Sequence, residues 1–291
     1  MIKNELFNWI HSFYVDQFFR ETNFISNSIS KVQANSLLMK NFLAEWQNSL
    51  PLKAEIKEID LWNHELASMD ASTRVEWAVE KFGNGVVAST SFGLQSAVMI
   101  HLLKQASSEI PIIFVDTGYL FPATYEYAGN LQEHLRFQVK TYSANMTPAF
   151  QEAAFGKLWE QGREGMSKYN YINKREPMDR ALQEHDSTLW LAGLRKSQAE
   201  SRSHLSFIEN QNGIYKLYPI LDWSDRETYQ YIPNHNLPYH PLDGMGYDSV
   251  GDWHSTRKLS EVESPEDARH GGHGRECGLH TDPPENLDFT I

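Results

Sequence analysis

The sequence predicts an α/β protein: a mostly parallel, twisted sheet with helices on both faces, a helical N-terminal extension and a mobile C-terminal tail. Three observations predict it. Short β-branched or apolar runs of buried-strand type recur along the middle of the chain. Segments with helical spacing separate them, which is the order expected of a parallel sheet covered on both sides. Several of the runs end in small, hydroxyl-bearing or basic loops, where an open parallel sheet places its ligands.

Residues 1 to about 48 open the chain with Phe7, Ile10, Phe13, Tyr14, Phe18 and Phe19, spaced as on an amphipathic helix. A second helix is expected over 31–47, through Val32, Leu37, Leu38, Phe42, Leu43 and Trp46. No residue pattern there suggests chemistry, and the stretch reads as a packing or interaction extension. The expected organisation is therefore a helical extension at 1–50, a nucleotide-binding α/β domain at 51–258 and a tail at 259–291.

Thr73-Arg74-Val75-Glu76 has capping-box form and starts a short helix that stops before Gly83. Val86-Val87-Ala88-Ser89 is the first strand, followed by the loop Thr90–Ser96 and a helix from Ala97 to Gln105. Ile110 to Val115 is the second strand, closed by Asp116-Thr117-Gly118, with a helix after Pro122. Phe137 to Tyr142 is the third strand, and residues 148–186 read as polar helix. Leu189-Trp190-Leu191-Ala192-Gly193-Leu194-Arg195 is the fourth strand, running into a basic loop that reaches Arg202; Ile214 to Leu221 is the fifth. Ser224-Asp225-Arg226-Glu227 caps a last helix, which ends before Pro233 or near Asn236.

Composition narrows the function. Hydrophobic content is 41% and charged content 22%, as in an ordinary soluble globular chain. With a formal net charge of −12, binding to nucleic acid through bulk charge is not expected. No run approaches the roughly 18 apolar residues of a membrane span. The opening Met1-Ile2-Lys3-Asn4-Glu5 lacks signal-peptide form. One cysteine, Cys277, excludes an internal disulfide framework and a four-thiolate iron–sulfur cluster within one chain. These features together predict a cytoplasmic protein with no membrane partner.

An acidic chain that binds an anion must gather its basic residues locally. Between Arg163 and Arg202 there are eight basic residues against six acidic ones, so this segment is net positive. Arg195 and Arg202 stand seven apart after a strand, and guanidinium forks suit phosphate or sulfate oxygens. Ser89–Ser96 supplies hydroxyls and backbone N–H groups at a helix N-terminus, where an oxyanion is favoured. It lacks the Gly-Lys-Ser/Thr ending of a Walker A loop and the three glycines of a dinucleotide fingerprint. Alone, that loop fits an anion site and a plain structural turn equally, and the arginines fit a solvated pair as well. His254, His270, His273 and His280 lack the i, i+4 pairing of a helical zinc site, and no metal is expected.

Cys277 lies in a polar, glycine-rich stretch, Gly274-Arg275-Glu276-Cys277-Gly278-Leu279-His280, with little apolar material to bury it. It is a candidate nucleophile that the tail carries to the pocket. A thiol reacts as thiolate. Glu276 opposes ionisation, whereas Arg275, His280 and a basic pocket favour it, so activation is expected on closure over substrate.

With these residues in hand, the sequence resembles the thioredoxin-dependent phosphoadenylyl-sulfate (PAPS) reductases from about Asp70 to His280. The motifs that carry the resemblance are Ser89–Ser96, Asp116–Pro122, Tyr171–Met178, Gly193–Arg202, Tyr247–Asp252 and Glu276–His280, in that order. The resemblance implies an adenine nucleotide alpha hydrolase-like fold and PAPS as substrate. It implies that Cys277 attacks the substrate sulfur, forming a cysteine S-sulfonate that thioredoxin, or glutaredoxin, reduces to release sulfite. By position it implies that Ser89, Ser91, Gly93 and Ser96 hold phosphosulfate or nucleotide. Lys174, Arg195, Arg202 and Arg269 would counter the anion, and His280 would lie near the thiol.

It further implies a homodimer and a place in assimilatory sulfate reduction. Related adenylyl-sulfate reductases carry cysteine pairs for a 4Fe–4S cluster. Here the corresponding stretches read Asn173-Lys174-Arg175-Glu176 and Gly251-Asp252-Trp253-His254, so no bound cofactor is expected. Arg175 replaces an apolar residue of the pattern, next to a residue expected to meet the anion. Adenylyl-sulfate reduction, an ATP pyrophosphatase-type enzyme on the same fold and a non-catalytic nucleotide-binding module remain the alternative readings.

Overall fold

The computed structural model describes residues 57–268. The two expected N-terminal helices, Cys277, Arg269 and His280 lie outside the described residues. So do the boundary at residue 50 and most of the expected tail.

Helix α1 runs through residues 57–67, and α2 (Ala71–Phe82) follows at once. The expected start at Thr73 is corrected by three residues: the Asp70 carboxylate caps the helix by accepting the Thr73 N–H. An aspartate at this position satisfies an orphan first-turn donor as well as serine or threonine does. Gly83, at a φ of 53°, ends α2 as expected.

Strands β1 (Val86–Thr90), β2 (Ile112–Asp116), β3 (Val139–Ser143), β4 (Leu189–Leu191), β5 (Ile208–Gln211) and β6 (Ile214–Leu217) form one sheet in the order β3-β2-β1-β4-β6-β5. All neighbours are parallel except β5, which pairs antiparallel with β6. Ala88 is in register with Ile112 and Val87 with Trp190. The expected fifth strand, Ile214 to Leu221, is half of a hairpin. Asn212 and Gly213 take φ values of 55° and 87°, and the chain folds back through this Asn-Gly turn.

Successive strand residues feed opposite faces, as the period of two requires. Val86, Ala88, Ile112, Phe114, Leu189 and Leu191 point into one core, shared with α2 and with α3 (Ser96–Ala106) and α4 (Pro122–Leu135). Val87, Ile113 and Trp190 point into the other. That side is closed by α7 (Glu176–Glu184), through Met178, Ala181 and Leu182. Because both faces are covered, the strands read as unbroken apolar runs.

The polar stretch 148–186 resolves into α5 (Pro148–Phe155), α6 (Gly162–Asn170), a π-helical turn at Tyr171–Arg175 and α7. The final helix α8 (Asp225–Asn234) starts with the expected capping box, in which Ser224 and Glu227 exchange hydrogen bonds. It carries Pro233 in its last turn. Residues 259–268 make two short 3₁₀ turns, Leu259–Glu261 and Pro265–Ala268, and Ala268 is buried. Among the described residues, no helix is long and apolar enough to cross a membrane.

One buried cation braces the frame. Arg74, on α2, donates to the carbonyls of Leu66 and Pro219 and to the Asp222 carboxylate, and its guanidinium lies 3.9 Å from the Phe207 ring centroid. The capping-box reading gave Arg74 no such role. Five donors in a planar fork are what allow one side chain to bind so many acceptors.

Candidate active site

A cavity of about 510 Å³ opens at the carboxyl ends of β1, β2 and β4, a size typical of small-molecule sites. Its first wall is the loop between β1 and α3. Phe92 is fully buried at a φ of 49°, and its N–H donates to Thr90 Oγ1. Burying this ring turns Ser91 and Gly93 to the cavity with Ser89 and Ser96. No side chain caps the start of α3. The Ser96 hydroxyl there is buried beside the Tyr127 hydroxyl. First-turn N–H groups facing a cavity make a place for an anionic oxygen.

The second wall is the loop after β4. Arg195 is only 2% exposed, and its Nη1 donates to Asp225 Oδ1 at 2.6 Å and to Ser197 Oγ at 3.0 Å. Its Nη2 donates to Gln95 Oε1. Arg202 donates through Nη1 to Gln198 Oε1 at 2.5 Å, and the same oxygen accepts the Arg195 N–H at 3.1 Å. Gln198 thus couples the two arginines that the sequence singles out. Gly193 packs beside α3, where a Cβ would make an ordinary contact with Met99 Cβ at 3.4 Å.

The floor is built from three distant segments. Asn173, fully buried in the π-helical turn, exchanges two amide hydrogen bonds with Gln151 of α5 at 2.8 and 2.9 Å. The next residue, Lys174, places Nζ 2.8 Å from Asp252 Oδ2. Thr117, after β2, donates to Asp252 Oδ1 at 2.6 Å. The Asp252 segment is itself laid against Leu120 as an antiparallel bridge, with the Trp253 N–H donating to Tyr119 O at 2.8 Å. Burial pushes the Asp252 carboxyl up, but the Lys174 charge and hydrogen bonds from Lys174 and Thr117 outweigh it and hold the carboxyl well below the usual range. This ion pair joins the Tyr171–Met178 and Tyr247–Asp252 stretches singled out in the sequence.

Beside the floor, His254 stacks on Trp159 at 4.0 Å between ring centroids. Burial lowers its imidazole to about 4, with Asp252 pulling upward and Lys174 pushing down. Among the described residues, neither ring nitrogen has a hydrogen-bond partner.

Of the candidate residues, Ser89, Ser91, Gly93, Ser96, Lys174, Arg195 and Arg202 line this one cavity. The expectation of a net positive pocket is corrected for the described residues. Three cations line it, Lys174, Arg195 and Arg202, and three carboxylates line it too: Asp225, Asp248 and Asp252. The other basic residues of the 163–202 segment point elsewhere. Arg175 pairs with Asp179 and faces a separate cavity beside α7, and Arg180 pairs with Glu176. Arg175 therefore stands apart from the cavity that Lys174 lines.

Sequence reasoning assigned no role to Asp225, Thr117 or Gln95. Asp225 was visible only as the second residue of a helix cap. Among the described residues, no group of three or more His, Cys, Asp or Glu is placed to hold a metal.

A family model described as the phosphoadenosine phosphosulfate reductase domain matches residues 85–258. The phosphoadenosine 5′-phosphosulfate reductase of Salmonella typhi is 48% identical over 233 residues, covering 80% of this chain and 96% of that one. The enzyme of the same name from Zymomonas mobilis is 47% identical over 242 residues, covering 83% and 99%. Among solved structures, phosphoadenylyl-sulfate reductase from Candida auris, in a phosphate complex, superposes with a TM-score of 0.61 at 30% identity. That match covers 69% of this chain and 97% of the other.

Proposed function

The chain belongs to the phosphoadenosine phosphosulfate reductase family, and from that premise we propose that it reduces PAPS to sulfite and adenosine 3′,5′-bisphosphate with thioredoxin as reductant. The observation that carries this reading is one cavity lined by the Ser89–Ser96 loop, Lys174, Arg195 and Arg202. In the proposed reaction the Cys277 thiolate attacks the sulfate sulfur. A sulfur–sulfur bond forms as the sulfur–oxygen bond to the phosphate breaks, and the nucleotide leaves with the electron pair. Thioredoxin then attacks Cys277 Sγ, sulfite departs, and the second thiol of thioredoxin resolves the mixed disulfide. The two electrons come from that dithiol.

The N-terminal turn of α3 and the hydroxyls of Ser89, Ser91 and Ser96 hold phosphosulfate oxygens, close to Gly93. Arg195, Arg202 and Lys174 face the charge that grows on the leaving phosphate, where fixed donors act most strongly. Arg269 and His280 complete the anion site when the tail closes. Because the cations of the described walls are matched by carboxylates, closure supplies the excess positive charge that the substrate requires. The scheme needs no metal or iron–sulfur cluster. The enzyme works as a cytoplasmic homodimer in sulfate assimilation.

The test is intact mass after incubation with PAPS and no reductant. A gain of one sulfonate mapped to Cys277 is expected. Cys277→Ser should still bind PAPS and release no sulfite; normal turnover by that variant would overturn the mechanism. An ATP pyrophosphatase-type activity is tested by incubation with ATP, from which no pyrophosphate should appear.

A further inference from the structure

Lys174 and Asp252 both line the cavity, yet they are only 6% and 1% exposed. A buried ion pair is a costly way to gain stability, because desolvation offsets much of the attraction. Its placement at a ligand site suggests another use. The two partners differ in rigidity. Asp252 is fixed by Thr117 through Oδ1, by the bridge to Leu120 along its backbone, and by the Thr256 hydroxyl, which donates to its carbonyl at 2.8 Å. Lys174 ends in an ammonium on a flexible four-carbon stem with rotatable donors, so its direction is set by whatever holds it. Its other charged and aromatic neighbours are the Tyr169 ring, 5.4 Å from Nζ, and the neutral His254 imidazole. Neither can anchor a cation as a carboxylate 2.8 Å away can.

We propose that Asp252 is a positioning residue: it aims the Lys174 ammonium at the floor of the cavity, where the leaving phosphate gathers charge. This rests on the reaction proposed above. As the pair is neutral overall, its contribution lies in placing a donor where charge develops rather than in attracting the ground-state anion.

The test is single-turnover formation of the Cys277 S-sulfonate, followed by quenched-flow mass measurement across PAPS concentrations in the wild type, Asp252→Asn, Lys174→Gln and the double variant. Asp252→Asn should lower the saturating rate roughly ten- to a hundred-fold, with little change in the PAPS concentration for half-maximal rate. Lys174→Gln should lose at least as much, and the double variant should be no slower than Lys174→Gln. Asp252→Glu, which restores the charge, should recover part of the rate. Losses that multiply in the double variant, or an Asp252→Asn rate equal to wild type, would overturn the inference alone. A wild type that forms no adduct would overturn the reaction and this inference with it. If Asp252→Asn does not fold, Thr117→Val serves, since it frees one side of the carboxylate. A slower saturating rate, absent in the Lys174→Gln background, is then expected, and an unchanged rate overturns the proposal.

Discussion

Arg74 and Asp222 meet through the two terminal guanidinium nitrogens, at 2.6 Å for Nη1–Oδ1 and 2.9 Å for Nη2–Oδ2. The contact ties α2 to the turn that leads into α8, and α8 begins with Asp225, the partner of Arg195. The brace therefore reaches the cavity through one short segment of chain.

Replacing Arg74 by Met should cost about 3 kcal/mol, because the carbonyls of Leu66 and Pro219 lose their donor along with the ion pair. Asp222→Asn should cost less, since its side chain is half exposed and the guanidinium keeps both carbonyls. Urea denaturation of the two variants measures the difference.

Arg195→Lys should leave the fold intact and weaken nucleotide binding about ten-fold or more. One ammonium cannot span Asp225, Ser197 and Gln95 as the fork does. Calorimetric titration with adenosine 3′,5′-bisphosphate is the measurement, and wild-type affinity in the variant would contradict it.

Two glycines of the cavity loops should respond in opposite ways to alanine. Gly118 has a φ of 73°, and a Cβ there would lie 2.6 Å from Pro148 Cγ. Gly118→Ala should lower stability by about 1–3 kcal/mol. At Gly93 the nearest atom to a new Cβ is Ser91 Oγ at 3.6 Å, an ordinary contact. Gly93→Ala should keep stability within about 0.5 kcal/mol and lose nucleotide affinity, because the methyl group enters the cavity.

Acid should destabilise the protein in a defined window. Burial lowers both His240 and His254 to about 4 in the folded chain, against 6.5 for a free imidazole. Burial keeps His240 neutral, and its contacts fit that form: Nδ1 accepts the Leu242 N–H, and Nε2 meets Thr124 Oγ1 at 3.2 Å. A group whose folded value is depressed binds its proton in the unfolded chain first. The stability it confers is complete above about 6.5 and shrinks as pH falls toward 4. Unfolding near pH 5 should take up about two protons from this pair, and about one in His240→Asn, as read from the pH dependence of urea midpoints. Asp252, whose carboxyl is held low, gives up its contribution only in stronger acid.

Much of this architecture was legible in the residues. Five of the six strands, the capping box at Ser224 and the cavity loops follow from apolar runs and from the hydroxyls, glycines and arginines that end them. What escaped was the pairing between distant segments. Asp252 and Lys174 stand 78 positions apart, and nothing local in either stretch distinguishes a buried carboxylate from a surface one. Arg74 looked like part of a helix start because charge at a first turn is ordinary; only the fold brings Pro219 and Asp222 to it. The hairpin at Asn212-Gly213 was readable from its turn residues, but the apolar run that continues to Leu221 masked it. The excess of basic residues between 163 and 202 misled for a related reason. Sequence proximity does not bring side chains to one surface when a helix sends Arg175 and Arg180 away from Lys174.

The π-helical turn at Tyr171–Arg175 has a consequence for what the chain can tolerate. One residue advances an α-helix by about 100°. Deleting a single position here, to restore ordinary winding, would leave Met178, Ala181 and Leu182 near their present phase on the sheet and would shift Asn173 and Lys174 within the turn instead. The widened turn thus takes up one extra residue so that one helical stretch meets two demands: an ammonium at the cavity floor and an oily stripe against the strands. A one-residue deletion within it should therefore cost the contacts of Asn173 and Lys174 more than the packing of α7, whereas length changes in the exposed turn at Asn212-Gly213 should pass with little effect on either.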